Sequence, residues 1–152
     1  MEVQRNPSNS NLNIIKDEKI GYNQSIIINS KELNELFHYS REFDTNIDYK
    51  LLTVQLNIPY TATMENYSMA RILLYLDEDM IYDGTICSHA GLVLRPLNLF
   101  GHKSHFRAGH HKIKLMACTS SGELHIPHLN LKGLEFLIKP SLSGSYLILG
   151  YN

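Results

Sequence analysis

The sequence predicts an all-β protein, an antiparallel β-sandwich of jelly-roll type with about 8–10 strands and at most one short N-terminal helix. Three observations support this fold class. Apolar and polar residues alternate over long stretches, turn signals recur about every 8–12 residues, and no strand–helix alternation indicates a parallel sheet. Short alternating segments with frequent turns are typical of antiparallel sandwiches and barrels.

Length and charge exclude several classes of protein. A chain of 152 residues is expected to form one domain, here residues 21–152, preceded by a disordered or loosely attached tail at 1–20. The formal net charge of -1 argues against a non-specific nucleic-acid binder. No apolar run is long enough to span a membrane, and no apolar segment near the N-terminus predicts a signal peptide. A cytoplasmic and a virion-associated location both stay open.

The N-terminal part offers one strand and one helix. Residues 26–28 predict a short strand because three isoleucines follow one another. Leu33, Leu36 and Phe37 have helical spacing, and Asn29 with Glu32 resembles a capping box, so 29–37 is predicted to be the helix. A turn-rich connection between strands competes with this helix.

The chain after residue 50 is predicted to be short strands joined by turns. The clearest alternation places Leu52, Val54, Leu56 and Ile58 on one face. Turns or loops are predicted at 62–67, 77–79, 83–84, 101–109 and 140–144. The predicted strands are 51–60, 69–76, 80–82, 85–90, 92–100, 134–139 and 145–151.

Residues 107–127 are predicted to form a central hairpin. Ile113, Leu115 and Ala117 alternate with more polar neighbours, as in a strand with one buried face. Thr119-Ser-Ser-Gly122 supplies turn residues, and Leu124 and Ile126 resume the alternation. These apolar side chains are expected to fill the sandwich.

Two predicted strands are apolar on both faces, which requires something to cover the second face. These outward residues form the hypothetical oligomer interface: Leu73, Tyr75, Leu147, Leu149 and Tyr151. Self-association is the favoured cover, because the N-terminal segment looks too polar to cover two strands. A cover supplied by that segment is the alternative.

Histidines crowd the region from His102 to His128. With nearby cations they form a hypothetical anion- or ligand-binding rim that protonation below about pH 6.5 would strengthen: His105, Arg107, His110, His111 and His125. Imidazole also binds metals, so a metal-dependent, cupin-like jelly-roll enzyme is an alternative. Metal-binding strands place histidines on alternate residues, whereas the spacings here are two residues or none. We therefore predict no catalytic residue, no metal and no cofactor.

Three segments resemble those of trimeric jelly-roll heads. Ala108-Gly-His-His-Lys-Ile-Lys-Leu115 and Thr119-Ser-Ser-Gly-Glu-Leu-His-Ile126 resemble a late sheet strand, and Ser143–Tyr151 resembles the closing strand. The heads concerned are tumour-necrosis-factor-like and complement-type globular domains and the tips of viral or bacterial fibres, and the resemblance covers about residues 48–152. It implies a non-enzymatic homotrimer that presents loops to a protein or glycan ligand. A carbohydrate-binding module is a further alternative.

Overall fold

The computed structural model describes residues 11–21, 26–87, 93–126 and 144–152, with backbone alone at 59–68 and 93–95. Within these ranges the chain forms a short 3-10 helix, Phe37–Tyr39, and nine antiparallel strands. The strands are β1 (Leu12–Ile20), β2 (Ile26–Ile28), β3 (Asn34–Glu35), β4 (Arg41–Thr45), β5 (Tyr49–Leu76), β6 (Asp79–Cys87), β7 (Val93–Phe106), β8 (Gly109–Ile126) and β9 (Gly144–Tyr151). The predicted all-β, jelly-roll-like sandwich is confirmed.

The two layers of the sandwich share strand β5. Its first half pairs with β9 and β7, and β1 extends that sheet beyond β9, which gives layer A in the order β1-β9-β5-β7. Its second half pairs with β6 and β8, and β2, β3 and β4 follow one another along the far edge of β8 to complete layer B. Among the described residues, no helix is long and apolar enough to cross a membrane.

Strand β5 must bend sharply between its halves. A straight strand of 28 residues would be about 90 Å long. Its first residue, Tyr49, pairs with Phe106, whose ring lies 4.1 Å from that of His111, and His111 bonds Asp77 just past the other end of the strand. Both ends of β5 therefore lie at the same end of the sandwich, and the register shifts between Ile58 and Met69 mark the bend.

Alternating side chains from both layers fill the core, as predicted. The inward residues of β5, β8 and β9 are at most 1% exposed: Leu52, Val54, Leu56, Ile58, Ile72, Leu74, Leu76, Ile113, Leu115, Ala117, Leu124, Ile126, Tyr146 and Ile148. Phe43 of layer B stacks on Phe106 of layer A at 6.1 Å between centroids. The buried hydroxyl of Tyr146 donates to the carbonyl of Tyr39, so layer A also holds the 3-10 helix.

The predicted hairpin at 107–127 is wrong, because β8 is one strand. The buried residues of β8 are odd-numbered up to Thr119 and even-numbered from Leu124 onward. One extra residue inserted between them accounts for this change. Gly122 has a φ of 72°, and the pairing with β5 shifts register in this region. A β-bulge replaces the turn, since it also inserts a residue and uses glycine at positive φ.

Several other predicted turns also lie within strands. Residues 62–67 belong to β5, 83–84 to β6 and 101–106 to β7. Residues 83–84 and 101–106 lie in strands because β6 and β7 continue to pair with β5 across them, and residues 62–64 of β5 pair with β7 and β8. The turn at 77–78 is confirmed as the β5–β6 connection. The predicted strand at 134–139 lies outside the described residues.

The N-terminal third differs most from the prediction. The predicted helix at 29–37 is absent, and β3 and the 3-10 helix occupy its second half because Leu36 is anchored by a backbone bond to Leu115. Within the expected loose tail, residues 12–20 form β1, which pairs with β9 along its length. Ile20 is 1% exposed and Ile15 packs against the core, so this segment contributes to the core.

Candidate functional site

The predicted histidine rim lies partly at the end of the sandwich where both ends of β5 return. We call this region the histidine end and define it by His105, Arg107, His110 and His111. The connection between β7 and β8 carries Arg107 and Ala108, and the β5–β6 turn lies beside it because Asp77 donates its N–H to the carbonyl of Lys112. The ends of antiparallel strands bring these sequence-distant turns together.

His111 joins these two turns. Its Nδ1 lies 2.7 Å from Oδ2 of Asp77, and its Nε2 lies 2.8 Å from the carbonyl oxygen of Arg107. Both neighbours are acceptors, so either ring nitrogen has a partner to which its N–H can donate. The ring packs against Phe106 and Phe43 and its side chain is 13% exposed. His111 therefore positions the turn that carries Arg107.

Asp77 holds its place through two hydrogen bonds. Its Oδ1 accepts the N–H of Lys112 at 3.0 Å, and Oδ2 faces His111. Burial would raise the pKa of Asp77, but the bonds to His111 and Lys112 outweigh it and hold the pKa below its ordinary value. The residue has a φ of 54°, a conformation that Asp and Asn tolerate better than most residues.

Replacing Asp77 with asparagine is expected to lower the free energy of unfolding by about 1–2 kcal/mol at pH 7, because a charged hydrogen bond is lost. A lowered folded-state pKa stabilises the protein above the unfolded value of about 3.9 and ceases to do so as pH falls through the folded value. The difference in free energy of unfolding between wild type and Asp77→Asn should therefore become smaller below about pH 4. Urea unfolding at pH 7, 5 and 3 measures it.

Asp79→Asn is the matched control for this prediction. Asp79 belongs to the same hairpin and its carboxylate meets Lys103 at 2.6 Å, but its side chain is 59% exposed. Exposed ion pairs contribute little, so this variant should stay within about 1 kcal/mol of wild type. A difference for Asp77→Asn that is constant over the three pH values would contradict the assigned role of its carboxylate.

His110 lies between two carboxylates of β4. Its Nδ1 is 2.8 Å from Asp44 and its Nε2 is 3.1 Å from Glu42. These bonds raise the pKa of His110 above its ordinary value. The stability that these bonds contribute is fully present below the ordinary pKa of histidine. It is lost as the pH rises through the raised pKa of His110. The side chain of His110 is 60% exposed, and both of its ring nitrogens already face carboxylates of β4.

His105 and Arg107 line a shallow cavity of about 370 Å³ beside the first residues of β5. The other lining residues are Asp48, Tyr49, Lys50, Phe106 and Asn152. Both predicted residues are exposed, and His105 has a φ of 55°, which is uncommon for a residue other than glycine. Two members of the predicted rim thus share one concave surface.

His125 lies far from the histidine end. It is in the last part of β8 and pairs with Ala62 at the bend of β5, up to about 50 Å along the strand from His110. Its Nε2 lies 3.3 Å from Glu123. The five residues of the predicted rim are therefore not brought together, and His128 lies outside the described residues. In the ranges that the structure describes, no group of three or more His, Cys, Asp or Glu side chains is placed to hold a metal.

The outer face of layer A is the second candidate surface. Directly paired residues share a face, and successive pairs across β1, β9, β5 and β7 align the outward positions. The apolar members, which we call the apolar face, are Leu12, Ile14, Leu51, Phe100, Leu147, Leu149 and Tyr151. Ile14 on β1 is 67% exposed and Phe100 on β7 is 56% exposed, whereas Leu147, Leu149 and Tyr151 between them are half-buried. Thr53, at the centre of the face, is 8% exposed.

The predicted interface residues divide between two sides of the molecule. Leu147, Leu149 and Tyr151 lie on the apolar face, whereas Leu73 and Tyr75 lie on the outer face of layer B. Leu73 is only 1% exposed, between Met116 on β8 and Asp83 on β6. Since the two outer faces point in opposite directions, one contact cannot use all five residues.

Charged neighbours cover the outer face of layer B. Arg71 makes a bidentate ion pair with Asp83 at 3.0 and 2.8 Å, and Lys114 lies over the ring of Tyr75 at 5.8 Å. A two-faced strand can therefore be covered by side chains of its own sheet, without a second subunit or a tail.

Sequence reasoning missed several members of both surfaces. The carboxylates of Asp44, Glu42 and Asp77 lie more than thirty residues from the histidines that they meet. Leu12 and Ile14 were assigned to the loose tail. The alternation of Leu12, Asn13 and Ile14 was the available signal, but the charged run from Lys16 to Lys19 outweighed it.

Comparisons with known proteins show no matching family model and no matching curated protein. Among solved structures, the infectious bursal disease virus VP2 subviral particle is 13% identical over 92% of this chain, with a TM-score of 0.44. The structure of the Gx strain of that virus is 11% identical over 93%, with a TM-score of 0.42. The chain spans 37% and 32% of those two chains. Likenesses at this level do not establish a family or a function, and the resemblance to trimeric head domains stays a prediction.

Proposed function

We propose that this chain is a non-enzymatic structural domain that self-associates through the apolar face of layer A, as a homotrimer, and presents its end loops to a ligand. The apolar face, exposed at Ile14 and Phe100 and half-buried between them, is the observation that carries the proposal. Such faces on soluble domains mark interaction surfaces when they are contiguous.

The composition of this face resembles the core of an interface. Its central positions on β9 and β5 carry Leu147, Leu149, Thr53 and Gln55, and none is charged. Interface cores are depleted of charged residues and enriched in aromatic ones, and the face also carries Tyr151 and Phe100. The charged residues on this outer face are Asp17 and Lys19, and both lie on the edge strand β1.

These rim charges favour a second copy of the chain as the partner. Asp17 and Lys19 lie on the same face, two residues apart, with no ion pair to another described residue. In a cyclic trimer the acid of each copy can meet the base of the next copy. The outer edge of β1 is less suited to pairing, because a bulge at Ile15 and the charged side chains of β1 discourage edge-to-edge addition.

The size of the face sets the expected strength. Four strands and four rows of outward residues cover about 500 Å² in projection, below the ~800 Å² per partner of a standard interface. Burial of one leucine contributes at most about 1.5–3 kcal/mol, and these side chains are already half-buried. Association should therefore depend on protein concentration.

Light scattering coupled to size-exclusion chromatography tests the proposal. Wild type is expected to be trimeric at about 100 µM, a concentration at which specific but moderate contacts are populated. The double variant Leu147→Ser/Leu149→Ser should elute as a folded monomer, because polar side chains replace the centre of the face.

Tyr75→Ser is the matched control, since it removes an apolar side chain from the opposite outer face. It should keep the wild-type mass. A monomeric wild type would overturn the proposal, and so would loss of association in the control but not in the double variant. Circular dichroism on each variant establishes that it is folded.

A further inference from the structure

The cavity beside Arg107 is built by hydrogen bonds that need no ligand. The side chain of Asn152 accepts the N–H of Lys50 at 2.9 Å and donates to the carbonyl of Asp48 at 3.1 Å. The carboxylate of Asp48 accepts the N–H of Ala108 at 2.7 Å. These bonds tie the start of β5, the β7–β8 turn and the last residue of the chain into one concave wall, so the cavity is largely preformed.

Its basic side chains are not paired with carboxylates of the described residues. In the described part of the chain, Arg41 pairs with Glu18 and Arg71 with Asp83, whereas Arg107 has no such partner. The side chains of Lys50 and His105, on the same cavity, likewise make no ion pair there. The carboxylate of the cavity, Asp48, is directed at the backbone of the turn.

The position of Arg107 is fixed from behind. His111 holds the carbonyl of Arg107, and Asp77 holds His111, so the turn is braced against layer B. His105 sits next to this turn in a left-handed conformation that is unfavourable for a residue with a Cβ. Glycine would avoid that cost, so the imidazole is present at the cavity at some expense to stability.

We propose that this cavity binds the phosphate or sulfate group of a phosphorylated or sulfated sugar, with Arg107 and Lys50 contacting the oxygens and His105 closing the rim. A guanidinium forms paired hydrogen bonds to such groups, and an ammonium adds a point charge. A volume of about 370 Å³ is at the small end for a ligand pocket and accommodates the anionic group with one sugar ring. This inference names a ligand class for the ligand-presenting part of the proposed function and does not require self-association.

Isothermal titration of the full chain with glucose 6-phosphate, inorganic phosphate, inorganic sulfate and glucose tests the inference. Glucose 6-phosphate is expected to bind with at least tenfold higher affinity than glucose, and the two inorganic anions should compete with it. If the inorganic anions bind as tightly as glucose 6-phosphate, the cavity does not recognise the sugar ring, and the part of the inference that names a sugar is overturned. Equal binding of glucose and glucose 6-phosphate overturns it altogether.

Arg107→Gln should weaken binding of glucose 6-phosphate about tenfold or more, and Lys50→Gln should weaken it less. Lys31→Gln, an exposed lysine outside the cavity, is the matched control and should bind like wild type. His105→Gly should fold at least as stably as wild type, so any loss of binding would reflect the missing imidazole. Unchanged affinity in Arg107→Gln would overturn the inference.

Light scattering on Arg107→Gln separates this inference from the proposed self-association. Arg107 lies outside the apolar face, so its variant should keep the wild-type mass whether or not it binds the sugar phosphate. Loss of binding with an intact oligomer supports the cavity, and a monomeric wild type that still binds would refute the self-association alone.

Discussion

Ile148→Ala is expected to lower the free energy of unfolding by about 2–5 kcal/mol, whereas Leu149→Ala should change it by less than about 1 kcal/mol. The two residues are neighbours on β9, so they share backbone pairing and sequence context. Ile148 is 0% exposed in the core, and its truncation leaves a cavity that the surrounding side chains only partly fill. Leu149 lies on the apolar face, where truncation leaves no enclosed cavity.

Urea unfolding at a concentration below association measures both values for the monomer. Light scattering at high concentration should show that Leu149→Ala weakens association more than Ile148→Ala does. The reason is that Leu149 belongs to the proposed interface and Ile148 does not. Equal losses of stability for the two variants would mean that both faces of β9 are buried within the monomer. That outcome would remove the basis for self-association through layer A.

Gly101→Ala is expected to destabilise the protein by about 1–3 kcal/mol through overpacking. Gly101 is buried on β7, directly under β6 of the other layer. A Cβ at this position would lie 2.7 Å from side-chain carbons of Ile81 and 2.8 Å from its backbone oxygen. Because a backbone atom is among those contacts, rotation of the isoleucine side chain cannot relieve them all, and the two strands must separate locally.

The double variant Gly101→Ala/Ile81→Ala isolates the two sources of this strain. In the Ile81→Ala background, Gly101→Ala should lower the free energy of unfolding by less than it does in wild type, because the side-chain contacts are gone. The contact with the carbonyl oxygen of Ile81 should account for the loss that remains. Gly21→Ala is the control, since a Cβ there meets nothing within 4 Å, and it should stay within about 0.5 kcal/mol of wild type. Thermal unfolding of Gly101→Ala at the wild-type temperature would show that the layers are not as closely packed here as the geometry requires.

Local sequence patterns predicted the core better than they predicted the connections. The alternations at Leu52–Ile58 and Ile113–Ala117 identified buried residues correctly, because the side-chain period of a strand is a property of the strand itself. Gly122 and the two residues Asp83-Gly84 were interpreted as turns and lie within strands. Turn-forming residues serve equally in bulges, and only the pairing partner distinguishes the two.

The candidate sites were predicted only in part for a related reason. Histidine crowding in the sequence indicated the β7–β8 region, but it could not show that Asp77 and β4 carboxylates engage His111 and His110. Nor could it show that Lys50 shares a cavity with Arg107. Such contacts join residues far apart in the chain, and their distance depends on how strands are ordered and not on spacing.

The sequence by itself determined that the chain is an antiparallel β-sandwich and which side chains of its main strands point inward, since both follow from a local period of two residues. Only the tertiary structure decided that β5 bends and serves both layers, that residues 12–20 complete layer A, and that β8 is one strand. It also decided that Leu73 is buried while Leu149 lies half-buried on the outer face of layer A. Strand pairing joins residues that are far apart in the chain. The two-residue period therefore assigns a side chain to one face of its strand but does not show what packs against that face.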